Sequence, residues 1–299
     1  MTAETKPVKC WHVKRTGVNN DHIWVIDDGG PSYLIKGNWA RMPINREEKR
    51  SNPRDDFATY FGKNKTLIEP CSLGIGQYHP RIYRPHTSPR VEDAYRREHA
   101  SSLQAARNLL IRMKDVFRFI EPVSQNCGTY GHELRQLLIL ACTEVESSCK
   151  AVLKANGYSA KPESKWNTAD YVKLLIPLRL SEWEVALRYH PDFPSFKPFD
   201  KWDTSQPTQS LDWYNAYNAV KHDRESAFTK ATLYNMISAM GGAFVLVHAQ
   251  FGQFGYQSMQ VTETDEFYVK SLPSWSPSEY YAPPQLLGEE TWRPVNYSF

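Results

Sequence analysis

Apolar positions recur at helical spacing from about residue 91 onward, and this period divides the chain into two textures. Leu103, Ala106, Leu110 and Phe117 line one face of a helix predicted over about 91–120, which Pro122 stops. Leu134, Leu138, Ala141, Val145 and Val152 do the same for a second helix over about 129–155, closed by Asn156-Gly157. A shorter helix over 168–176 follows a capping residue at Asn167 or Thr168. Two more are predicted over about 211–224 and 230–250, the last carrying Gly241-Gly242, a pair that allows close packing or a kink.

Residues 1–90 lack that period. Segments 22–26 and 32–35 read as strands joined through the turn Asp27-Asp28-Gly29-Gly30-Pro31, and 9–14 reads as a further strand. Within 177–209 the helical series is interrupted: 183–189 alternates like a short strand, and Phe193, Phe196, Phe199 and Trp202 form an aromatic loop among prolines. That loop is too apolar for water and is expected to lie over the helices. The last segment, 256–299, is extended and holds Trp275, Tyr280, Tyr281, Trp292, Tyr297 and Phe299. Such a tail should dock, with Trp183, Phe196 and Trp202 as exposed candidates to line its grooves. The expected fold is therefore mainly α: a β-rich basic segment over 1–90, a helical bundle over 91–255 with the insertion 177–209, and a wrapping tail over 256–299.

Composition narrows the class. With 41% hydrophobic and 23% charged residues the chain is a folded protein rather than a disordered one. No apolar run approaches the roughly 20 residues that span a bilayer, and the N-terminus lacks the apolar stretch of a signal peptide. The five cysteines, Cys10, Cys71, Cys127, Cys142 and Cys149, show no zinc-knuckle spacing. A reduced, cytoplasmic protein whose cysteines pack as small hydrophobes is expected. Residues 1–90 hold 15 Lys/Arg against 9 Asp/Glu, so they carry +6 of a total of +3 and the remainder carries −3. The N-terminal part is thus the better candidate for an RNA or phosphate contact, with an ordinary solvated basic surface as the alternative.

Candidate chemistry concentrates in residues 213–224. On a helix, Asn215, Asn218 and His222 share one stripe, while Trp213, Tyr217 and Val220 form the anchoring one. His222 has the titration range of a general base, and Asn218 is placed one turn back to orient it. Asn215, Lys221 and Arg224 are candidates to bind phosphate or base. Glu144 shares a stripe with Glu133, Leu137, Leu140 and Ser148, and a half-buried carboxylate there wants Lys221, His222 or Arg224 as partner. The expected polar cluster is Glu144, Asn218, Lys221 and His222, with Glu146 in place of Glu144 if the helix phase differs. No nucleophile elbow, His-Glu-x-x-His or Walker loop occurs, and Gly74-Ile75-Gly76 is too short to be a phosphate loop. No metal or cofactor is expected.

The element Asn218-Ala219-Val220-Lys221-His222, set among long helices and preceded by the acidic run Thr143-Glu144-Val145-Glu146, resembles the HEPN superfamily over about 91–250. The resemblance implies an α-helical bundle that acts as an RNase or nucleotide-binding partner in bacterial defence or stress response. In the implied RNase, His and Arg from two copies of a homodimer face one another, activate a 2′-hydroxyl and stabilise the phosphorane. The family's Arg is missing here: Tyr217 stands next to Asn218, and no Arg lies between Leu211 and His222. A tyrosine cannot supply the fixed positive charge of a guanidinium. Two readings follow: a metal-independent RNase with His222 as base, or a non-catalytic interaction or nucleotide-sensing module whose polar cluster is structural. In the second, His222 is buried between helices and hydrogen-bonded by Asn218.

Overall fold

The fold of the described residues is mainly α. The structure, a computed structural model, describes residues 9–15, 21–27, 30–35, 38–41, 66–70, 72–85, 93–252, 266–282, 284 and 291–299. They belong to two units, one formed by Met1–Tyr78, Arg84–Val91 and Trp275–Val295, the other by His79–Tyr83, Glu92–Ser274 and Asn296–Phe299.

The first unit carries a five-stranded sheet. β1 (Lys9–Arg15), β2 (Asp21–Asp27), β3 (Gly30–Ile35), β4 (Asn38–Arg41) and β5 (Thr66–Pro70) lie in the order β4-β3-β2-β1-β5. All neighbours are antiparallel, with short connections joining β1 to β2, β2 to β3 and β3 to β4; Asp27 pairs with Gly30 at the Asp-Asp-Gly-Gly reversal. β4 and β5 had no signal in the alternation. In the same unit β6 (Gln77–Tyr78) pairs in parallel with β9 (Arg293–Pro294). Tyr78, Tyr281 and Trp292 meet there edge to face, with centroids 6.0–6.5 Å apart.

The second unit is built on α1 (Asp93–Phe117), α2 (His132–Ala155), α4 (Asp212–His222) and α6 (Leu233–Phe251), with the short helices α3 (Thr168–Tyr171) and α5 (Arg224–Ala227) between them. α6 packs chiefly on α2, and both receive α1 and α4. It is buried all round from Met236 to Phe251, as its nearly uninterrupted apolar sequence requires. α2 buries a broad arc, including Leu137, Leu138, Ala141, Cys142 and Cys149 at zero exposure. Truncating a leucine of that arc to Ala costs about 2–5 kcal/mol. α3 starts at Asn167, whose side chain accepts from the Ala169 amide while Asp170 accepts from the Asn167 amide, a reciprocal cap.

The aromatic insertion lies over this bundle, as its composition predicts: Phe193, Phe199 and Trp202 are buried. Gly241 and Gly242 are what admit it. A Cβ on Gly241 would sit 2.8 Å from the Phe196 ring, and one on Gly242 3.3 Å from Phe199. β7 (Glu184–Leu187) pairs antiparallel with β8 (Phe267–Ser271), and Val185 exchanges two 2.9 Å backbone bonds with Phe196. Trp183 is not an exposed groove residue. It is fully buried and donates from Nε1 to the Leu178 carbonyl at 3.0 Å. Trp202 is buried as well, and Phe196 alone of that trio is half-exposed. The tail is shared between the units: β8 and residues 296–299 belong to the helical one, Trp275–Val295 to the other. Its aromatics are docked rather than free, with Trp275, Tyr280 and Tyr281 buried and Phe299 set 5.7 Å from Tyr158.

Candidate functional site

α4 buries Trp213, Tyr214, Ala216, Tyr217 and Val220, so the aromatic stripe anchors it as the spacing predicts. Trp213 donates from Nε1 to the Pro198 carbonyl at 2.9 Å, which ties the helix to the aromatic insertion. The Tyr214 hydroxyl donates to Glu146 Oε1 at 2.7 Å, and Lys221 Nζ donates to the Tyr217 hydroxyl at 2.8 Å while lying 5.0 Å from that ring's centroid. The two tyrosine rings meet edge to face at 5.3 Å. Burial, then the hydrogen bond to Glu146, holds the Tyr214 hydroxyl well above its ordinary value; burial alone leads for Tyr217. The bond to Tyr217 raises Lys221. Cys142 lies fully buried beside this network, and burial pushes its thiol up, with Glu146 adding and Lys221 opposing.

The cluster expected from sequence is thus only partly assembled. The carboxylate facing α4 is Glu146, the alternative phase, on a stripe with Cys142 and Cys149. Glu144 lies roughly 200° further round α2. It is half-buried, its carboxyl raised by desolvation and drawn back down by Arg81 rather than by any residue of α4. Asn218 does not orient His222: its Nδ2 donates to the Tyr214 carbonyl one turn back at 3.2 Å. Asn215 is exposed. His222 is exposed too, at the last position of α4, so it is not a histidine buried between helices. No described side chain hydrogen-bonds to it.

The helix ends there because Asp223 adopts an extended conformation (φ −134°, ψ 90°) and caps α5, accepting from the Ser226 amide at 3.1 Å and from the Ser226 hydroxyl. Arg224 is consequently the first residue of a new helix and shares no wheel with His222. Its side chain lies outside the described residues.

Two groups escape a reading by local pattern. Arg135 of α2 donates from Nε and Nη2 to the Val220 carbonyl at 3.2 and 2.9 Å. A guanidinium thereby satisfies a last-turn carbonyl and sits where the helix dipole favours a cation. Arg81 takes a left-handed conformation, φ 57°, rare for a side-chain-bearing residue. It donates to Gln250 Oε1 at 2.8 Å and to Ser102 Oγ at 3.3 Å, and pairs with Glu98 at 3.3 Å. Its guanidinium stands 5.1 Å from the Phe251 ring centre, and His99 stacks on the same ring at 4.7 Å. Polar residues in the apolar α6, His248 and Gln250, were the available sequence signal for this second network.

α4 and α2 therefore define a helical unit whose conspicuous polar residues mostly bond to one another and to backbone. Comparison with protein-family models, with curated proteins and with solved structures finds no match to this chain. Among the described residues, no group of three or more His, Cys, Asp or Glu could hold a metal ion, and no helix is long and apolar enough to cross a membrane.

Proposed function

We propose that this chain is a non-catalytic, HEPN-like interaction module of a bacterial defence or stress system, in which the polar residues of α4 hold the bundle together. The observation that carries this reading is the Asn218 amide, spent on the Tyr214 carbonyl. General base catalysis needs an imidazole held in hydrogen-bond reach of its proton, with a tautomer fixed by a second partner. Transfer at phosphorus further needs a fixed cation. His222 has no such partner among the described residues, Tyr217 stands at the family's Arg position, and Lys221 is engaged by Tyr217. The exposed face left over, with Asn215 and His222, is the contact surface this reading assigns to a partner protein, RNA or nucleotide.

One observation favours a second reading. Arg135 brings a guanidinium to the end of α4 that carries His222, so an arginine from α2 stands in for the one missing from α4. In that case the chain is a metal-independent RNase, acting as a homodimer, with His222 as base and Arg135 as the charge that meets the phosphorane. Labelled single-stranded RNA incubated in chelator with the wild-type protein, His222→Ala and Arg135→Lys separates the two. The module predicts no cleavage above a protein-free control. Cleavage that needs both His222 and Arg135 supports the RNase.

A further inference from the structure

Positive charge collects at the C-terminal end of α2 and just beyond it. Residues 150–176 hold five lysines, Lys150, Lys154, Lys161, Lys165 and Lys173, against Glu163 and Asp170. That is a net of +3, although residues 91–299 together carry −3. Lys150 and Lys154 share one stripe of α2. Asp170 is buried and takes the Lys161 ammonium at 2.7 Å. Glu163 meets Lys154 at 3.3 Å with both side chains more than half exposed, a pair that holds little. Lys150, Lys165 and Lys173 form no ion pair among the described residues, and the last two are exposed.

A row of rings runs beside these lysines and is an independent observation. His79, Tyr297, Phe299, Tyr158 and Trp166 follow one another with neighbouring centroids 5.2–5.7 Å apart. They come from separate stretches of the chain, so no sequence period shows them. Trp166 is buried, and the other four are half-buried. Lys173 Nζ stands 6.0 Å from the Tyr158 ring centre, and Lys154, Lys161, Tyr158 and Trp166 line a shallow cleft of about 560 Å³. The rings are held in place. The Trp166 indole donates to the Lys161 carbonyl at 2.9 Å, and the Tyr158 hydroxyl donates to Asp170 Oδ1 at 2.9 Å. The Tyr297 amide donates to Asn156 Oδ1 at 3.0 Å, and Asn156 Nδ2 donates to the Pro80 carbonyl at 2.8 Å. Gly157, with φ 68°, lets the tail pass, because a Cβ there would sit 2.7 Å from Asn296 Nδ2. Rings fixed in this way lose little freedom when something stacks on them.

We propose that this face binds a single-stranded nucleic acid, with its bases against Tyr158, Tyr297 and Phe299 and its phosphates on Lys150, Lys165 and Lys173. A strand offers both partners the face asks for, flat rings and a regular run of negative charge. A duplex keeps its phosphates and hides its base faces, and an acidic peptide brings charge without a run of rings. The proposal does not rest on the role given to Asn215 or His222.

The test is fluorescence anisotropy of the full-length protein with a labelled strand of about ten nucleotides. The same sequence is offered as DNA, as RNA and as a DNA duplex. Saturable binding of either strand, tighter than the duplex, is expected, and the tighter of the two names the source. Lys165→Glu combined with Lys173→Glu should weaken it and lower the slope of log affinity against log salt by about 0.7 per lysine. Phe299→Ala should weaken it by about tenfold, the stacking of one base. The lysine exchanges are at exposed positions, so they decide the matter even where Phe299→Ala loosens the tail. Absence of binding, equal binding of the duplex, or strand binding unchanged in the lysine variant, which would place it elsewhere on the chain, overturns the proposal. Attachment to phosphatidylserine vesicles without binding of either strand would assign the face to a membrane and overturn it as well.

Discussion

Acid should destabilise the helical unit through one residue, His248. It lies near the end of α6, 5% exposed, with its ring 4.2 Å from Phe244 and 6.5 Å from Trp183. Its Nδ1 donates to the Phe244 carbonyl at 2.9 Å, which puts the proton of the neutral ring on Nδ1. Burial drives its pKa from 6.5 down to about 4; the Phe244 bond opposes the fall and His99 reinforces it. The folded value lies below the unfolded one, so the unfolded chain takes up the proton first. The stabilisation is complete above pH 6.5 and is lost as pH falls toward 4. A gap of about 2.5 pH units at roughly 1.4 kcal/mol each gives about 3 kcal/mol, a large share of a typical domain's stability. Urea unfolding followed by tryptophan fluorescence from about pH 7 to about pH 4 measures it against His248→Phe, which keeps a buried ring and removes the titration. Wild type should lose about 3 kcal/mol more than the variant over that range. Two curves that fall in parallel would refute the reasoning.

Two further outcomes follow from the α4 contacts. Tyr214→Phe removes the hydroxyl that donates to half-buried Glu146 and should lower stability by about 1.5–3 kcal/mol in the same urea assay, while exposed Asn215→Ala changes it by less than about 0.5 kcal/mol. Arg135→Ala uncovers the Val220 carbonyl at the end of α4 and should cost about 1–3 kcal/mol, with amide exchange quickened in the last turn of α4 before it changes in α6.

Much of the helical unit was legible because its signals are local. The stripes of α1 and α2, the cap at Asn167 and the Asn156-Gly157 stop all act within a turn or two of sequence. The alternation that marks β7 and the aromatic crowding of 193–202 were legible for the same reason. The phase of α2 was not. Its buried arc spans Leu134, Leu137, Leu138, Ala141, Cys142 and Val145, wide enough to leave both Glu144 and Glu146 on a border, and tertiary packing chose Glu146 as the neighbour of α4. The break at Asp223 was hidden because a lone Asp is compatible with a continuing helix until its carboxylate accepts from the Ser226 amide. Arg135 left no trace near Val220, being 85 positions away in the chain. The candidate stripe of Asn215, Asn218 and His222 was correctly placed on one helix, but stripe membership does not say whether an amide turns to a neighbour or to its own backbone.

The most direct test of the proposed module is cleavage of labelled single-stranded RNA in chelator by the wild-type protein beside His222→Ala. The account predicts two indistinguishable lanes, with no product above the protein-free control. Cleavage by the wild type that disappears in a folded His222→Ala protein would contradict it.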